Sequence, residues 1–132
     1  MLPAAVFPQI ITNTIQSLSA CPGDTLVQVG VTNCNNVSAI SLEIEFNAGV
    51  MQFEGFENIN EALAPEYLFT NLVNNTIIFN WVTNGSPAFI GNDTLFQLRF
   101  HFDGGLGNIS WNEINCEFAD GNGIILQSYY FD

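Results

Sequence analysis

Residues 39–47 read AISLEIEFN, an unbroken alternation of apolar and polar side chains. Ile40, Leu42, Ile44 and Phe46 fall on one parity, and Ser41, Glu43, Glu45 and Asn47 on the other. Successive side chains of a β-strand point to opposite faces, so this period of two requires a strand with one buried face and one wet face. A slip of one residue would put the large apolar groups in water and both carboxylates in the core, which specifies the register strongly. Asn47-Ala48-Gly49 ends the strand as a turn, and Val50, Met51 and Phe53 begin a second apolar strand. The parity of Glu43 and Glu45 is therefore a fixed acidic surface, expected in the middle of a sheet. It is the candidate functional surface of the chain.

The rest of the chain repeats the same kind of element. Short β-branched and aromatic runs are punctuated by Asn, Thr, Gly and Ser, the pattern of an all-β sandwich. The predicted strands are residues 10–18, 25–32, 39–46, 50–56, 67–73, 76–83, 94–102, 108–118 and 123–131. Pro22-Gly23-Asp24 is a turn, and Asn74-Asn75 reads as a tight hairpin turn because Asn tolerates the left-handed conformation. Residues 61–64 make at most one helical turn before Pro65. No internal repeat and no linker interrupts what reads as one domain, residues 1–132.

Which partners such a domain accepts is bounded by its charge. Thirteen acids stand against a single Arg and no Lys, for a formal net charge of −12. This repels phosphate and anionic lipid, which excludes nucleic acid and argues against a membrane surface. A cationic partner, a neutral ligand such as a glycan, or no partner remains open. Disorder is excluded, since 48% of residues are hydrophobic and twelve are Phe, ample for one core. The opening MLPAAVFPQ has no basic segment and its apolar part is broken by proline, unlike a signal peptide. The chain is expected to be a module of a longer protein, with its last strand cut short at Asp132. Three cysteines without a CxxC pair do not make a zinc site. One disulfide plus one free thiol suits an extracellular setting.

Candidate chemistry is sparse. Glu43 and Glu45 are two carboxylates on one strand face, whereas a glycosidase holds its pair across a cleft. There is no nucleophile elbow and no HExxH, so no catalytic residues and no cofactor are assigned. Alternation in residues 94–102 puts Arg99 and His101, the chain's one Arg and one His, on an outer face, read as a surface ion pair and a solvated residue. Asp120-Gly121-Asn122-Gly123 has the opening spacing of a calcium loop without the downstream bidentate Glu, so it reads as a turn and no metal site is assigned. Tyr67, Trp81, Tyr129 and Tyr130 are the candidates for a sugar-stacking platform, although adjacent Tyr129 and Tyr130 must face opposite ways.

The order of the segments CPGDTLVQVGV, NVSAISLEIEFNAGVMQFEGFEN, TIIFNWVT, GNDTLFQLRFHF and FADGNG resembles a cohesin module, a receptor domain of cellulosome scaffolds. The resemblance runs from about Ile10 to Phe131. It implies a nine-stranded jelly-roll β-sandwich, related to carbohydrate-binding modules, with sheets ordered 5-6-3-8 and 4-7-2-1-9. It also implies a non-catalytic function: docking, on the 5-6-3-8 face, the paired calcium-loop helices of a dockerin module on another protein, typically a polysaccharide-degrading enzyme. Carried onto this chain, that face takes Ser41, Glu43 and Glu45 from residues 39–46, Asn80 and Val82 from residues 76–83, and Ser110 and Asn112 from residues 108–118, with Trp81 turned inward. The orientation of residues 67–73 stays open, and no apolar anchor is legible on the face. The implied topology pairs Cys34 with Cys116 in a disulfide and leaves Cys21 free. It implies an extracellular or cell-surface place within a larger secreted protein. The alternatives are a carbohydrate-binding module, whose partner is polysaccharide, and a structural surface repeat.

Overall fold

The computed structural model describes residues 9–17 and 21–132. The chain runs through ten strands: β1 Ile10–Thr14, β2 Gly23–Cys34, β3 Val37–Phe46, β4 Met51–Glu57, β5 Leu68–Val73, β6 Thr76–Val82, β7 Gly91–Phe102, β8 Ile109–Trp111, β9 Glu117–Asp120 and β10 Ile125–Phe131. Two single 3₁₀ turns, Pro65–Tyr67 and Glu113–Asn115, are the helical elements among the described residues. The expected first strand stops at Thr14, and Leu18, its expected end, lies outside the described residues, as does the opening MLPAAVFP.

The strands are ordered β4-β7-β2-β1-β10-β9-β3-β6-β5, with β8 also on β3. One layer is β4-β7-β2-β1-β10, and β5-β6-β3 with β8 and β9 forms the other. This is the jelly-roll sandwich that the resemblance implies, with two differences. The layers are joined at a seam where Ile125 pairs with Ala119 and Leu126 with Phe118. The expected eighth strand, residues 108–118, is broken into β8 and β9 around Glu113–Asn115. Glu43 causes the break: one of its carboxylate oxygens accepts hydrogen bonds from Asn112 Nδ2 at 2.9 Å and Asn115 Nδ2 at 2.8 Å. Holding both amides draws the intervening residues out of the ladder.

The alternation of β3 is realised in full, with Ile40, Leu42, Ile44 and Phe46 buried between the layers. They meet a cluster of aromatics in which Phe79 and Phe96 stack at 4.4 Å, and Phe56 packs edge-on against Phe96 at 5.2 Å. Trp81 is turned inward as expected, and its indole N–H donates to Ala64 O at 3.2 Å. The last strand pairs in parallel with β1, from Ile10 opposite Gln127 to Thr14 opposite Phe131, which covers an edge that β1 would otherwise leave open.

The expected Cys34–Cys116 disulfide is not present; Cys21, Cys34 and Cys116 are all free thiols. The register explains why. The start of β3, Val37, pairs with Asp120, so Cys34 lies at the far end of β9 from Cys116. Cys116 sits beside Glu43, whose backbone N–H donates to its sulfur at 3.3 Å. Six residues of extended strand from Val37 to Glu43 span about 20 Å, far beyond the Cα separation of about 7 Å that a disulfide bridges. Burial pushes the Cys34 thiol up to about 12 and the Cys116 thiol up to about 11, so neither forms the reactive thiolate near neutral pH. Alkylation at pH 8 without reductant is therefore expected to mark Cys21 alone in the folded chain and all three cysteines in denaturant. A single marked cysteine in both states would restore the bridge.

Candidate functional site

The outer face of β5-β6-β3-β8/β9 is fixed by three ladders read together. Across β3 and β6, Ser41 opposes Asn80, Glu43 opposes Ile78 and Glu45 opposes Thr76. The hairpin carries these rows to β5, where Asn80 opposes Phe69, Ile78 opposes Asn71 and Thr76 opposes Val73. Asn74, with φ 56°, takes the left-handed conformation that makes this tight turn. On the other side of β3, Ser41 opposes Glu117 and Glu45 opposes Ser110. Ser41, Glu43, Glu45, Asn80, Val82, Ser110 and Asn112 therefore lie together on one surface, on the parity assigned to each from the sequence.

Hydrogen bonds organise the middle of this surface. Ser41 Oγ donates to Asn80 Oδ1 at 2.7 Å, which ties β3 to β6. Glu43 is half-buried and held by Asn112 and Asn115, so it is a positioned acceptor rather than a freely solvated charge. Glu45, one row on, and Glu113 and Glu117 on the β8/β9 side add further negative charge.

The sequence reading missed an apolar strip on the same surface. Val82, Ala39, Ala119 and Ile125 stand in one continuous row across β6, β3, β9 and β10. Val82 is 60% exposed and Ile125 67%. Phe69, 61% exposed, adjoins this row from β5, one pleat from Val82. Ile114, 89% exposed, stands in the turn between the asparagines that hold Glu43. An exposed apolar row beside fixed carboxylates is the composition of a protein-docking surface, with an apolar centre to bury and charges to orient the partner. The signal for Phe69 was present in the sequence: a two-residue hairpin at Asn74-Asn75 forces Val73 opposite Thr76, which sets the parity of the whole of β5.

The other candidates fall outside this surface. The aromatic platform does not form, because Trp81 is buried and Tyr130 packs inward against Trp111 at 5.3 Å. Asp120 caps its own turn, with Oδ1 accepting the backbone N–H groups of Asn122 and Ile124 at 2.9 Å each. Arg99 on β7 forms a surface ion pair with Glu57 on the adjacent strand β4, as expected. His101 is exposed, as expected, and its Nδ1 also lies 2.9 Å from Asp24 Oδ1. That hydrogen bond raises the imidazole above its ordinary value and holds the Asp24 carboxyl below its own. No helix among the described residues is long and apolar enough to cross a membrane.

Comparison with known proteins bears on what this surface belongs to. The family model described as the cohesin domain matches residues 11–127. A comparison with curated proteins finds no significant match. Among solved structures, the third cohesin ScaC from Acetivibrio cellulolyticus, in complex with the ScaB dockerin, has a TM-score of 0.80 at 16% identity, covering 92% of this chain and 94% of that one. A Coh-OlpA-Doc918 structure from Clostridium thermocellum, a type I cohesin–dockerin complex, has a TM-score of 0.79 at 15% identity, covering 92% and 94%. A non-cellulosomal cohesin from the archaeon Archaeoglobus fulgidus has a TM-score of 0.70 at 19% identity, covering 92% and 86%. At these identities the structural likenesses speak for the fold. The family model, which spans all but the ends of the sequence, speaks for descent: the chain belongs to the cohesin domain family.

Proposed function

We propose that this chain is a non-catalytic receptor that docks dockerin-bearing proteins through the outer face of β5-β6-β3-β8/β9. The observation that carries the reading is the juxtaposition on that face of an exposed apolar row, Val82-Ala39-Ala119-Ile125 with Phe69, and the carboxylates of Glu43 and Glu45. Family membership supports it, as do the relatives solved in complex with dockerins. The apolar row supplies area to bury, and the carboxylates select a partner helix with Lys or Arg beside its apolar stripe. The setting is extracellular or on the cell surface, within a larger secreted protein, and the docked cargo is polysaccharide-degrading enzymes. Dockerin helices are held by calcium loops, so capture should require calcium. The immobilised chain is expected to retain dockerin-bearing proteins from an extract of its source organism with calcium present, and to release them on chelation. Retention of no dockerin-bearing protein under either condition would remove the reading.

A further inference from the structure

We propose that Asp24, Glu54 and His101, on the outer surface of the opposite layer, bind a single divalent transition metal ion of the zinc class. The three residues come from adjacent strands. His101 on β7 is directly across from Asp24 on β2 and Gln52 on β4. Glu54 arrives by a β-bulge: Phe53 pairs with Phe100 and Gly55 with Arg99, so Glu54 is the extra residue between them. Gly55 has φ 142°, which the bulge requires of a residue without a side chain. Bulges re-aim side chains, and this one brings the Glu54 carboxylate into the group.

One ligand atom from each of the three residues lies within 4.8 Å of the other two. Metal–ligand bonds of about 2.0–2.1 Å in a tetrahedral site place ligand atoms roughly 3.4 Å apart. All three side chains are exposed, which leaves them room to rotate toward a shared ion. Asp103 stands on the far side of the imidazole, its Oδ1 3.5 Å from Nε2. The cluster thus gathers the carboxylates of Asp24, Glu54 and Asp103 around one imidazole. Arg99, the chain's one Arg, is engaged by Glu57. Beyond the imidazole itself and the more distant Arg99, no positive group of the described chain faces these acids, and a divalent cation balances them directly.

The donor set decides the kind of ion. Calcium and magnesium take oxygen ligands, calcium with six to eight of them, whereas one imidazole nitrogen with two carboxylate oxygens suits zinc, nickel or copper. His101 is therefore the residue that separates a built site from the diffuse cation atmosphere of an acidic protein. The site lies on the layer opposite to the proposed docking face, so it does not depend on that assignment.

The test is a zinc titration of the intact chain, with Cys21→Ser as background because Cys21 is an exposed thiol three residues before Asp24. Calorimetry counts the ions, and the imidazole signals of the one histidine report where they bind. The expected result is one zinc ion per chain, with those signals shifted in step with uptake. His101→Asn and Asp24→Asn should each weaken binding by about tenfold or more, and excess calcium should leave the imidazole signals unmoved. Zinc uptake with unmoved imidazole signals, equal affinity in the His101→Asn variant, or an absence of binding would each overturn the proposal.

Discussion

Deleting residues 129–132 is expected to lower the melting temperature by about ten degrees or more. The last strand is tied to the core by groups with no other partner among the described residues. Trp111, nearly buried, donates its indole N–H to Phe131 O at 3.1 Å, and the fully buried Asn13 donates its side-chain amide to Tyr129 O at 3.2 Å. The Ile15 backbone N–H donates to Phe131 O at 3.0 Å. Each donor left without its acceptor costs about 1 kcal/mol or more. Loss of the Tyr130–Trp111 contact adds about 1 kcal/mol. A total on the order of 4 kcal/mol corresponds to the stated fall for a domain of this length. Calorimetry of the two chains checks it, and an unchanged melting temperature would show that these residues contribute nothing to the β1 ladder.

What was legible in the sequence follows from which contacts were local. The β3 parity was legible because one face is buried along its whole length, so Ile40 to Phe46 carry the pattern by themselves. Trp81 and Asn80 followed from the same rule. The break between β8 and β9 was not legible, because Glu43 imposes it on Asn112 and Asn115, about seventy positions away along the chain. The disulfide failed for a related reason. It required the end of the eighth strand to meet the start of β3 at Cys116, whereas the ladder runs on to Asp120. The apolar row was hidden because it joins Val82, Ala39, Ala119 and Ile125 through three ladders, one of them the seam between the layers. Each residue alone reads as an isolated surface apolar group, which needs no explanation.

Weakening the acidic part of the docking face is expected to slow association with a basic dockerin roughly tenfold at low ionic strength. The position of each carboxylate dictates the substitution. The Glu45 carboxylate has no hydrogen-bond partner among the described residues and tolerates charge reversal, so Glu45→Lys suits it. Glu43 accepts from Asn112 and Asn115, and a Lys there would orphan both amides at a cost of about 1–3 kcal/mol. Glu43→Gln removes the charge and keeps an oxygen that accepts from both. The double variant should therefore fold like the parent while its face loses the negative potential. Charges at an interface act mainly on encounter, so the dissociation rate should change much less than the association rate.

The association rate constant for one dockerin, measured from low to high ionic strength for the parent chain and for Glu43→Gln/Glu45→Lys, tests the docking face most directly. The account predicts a parent rate that falls steeply with salt, a variant rate that starts lower and falls less, and curves that converge once the charges are screened. Superimposable curves from a properly folded variant would contradict it, and would move the partner to another surface of the sandwich.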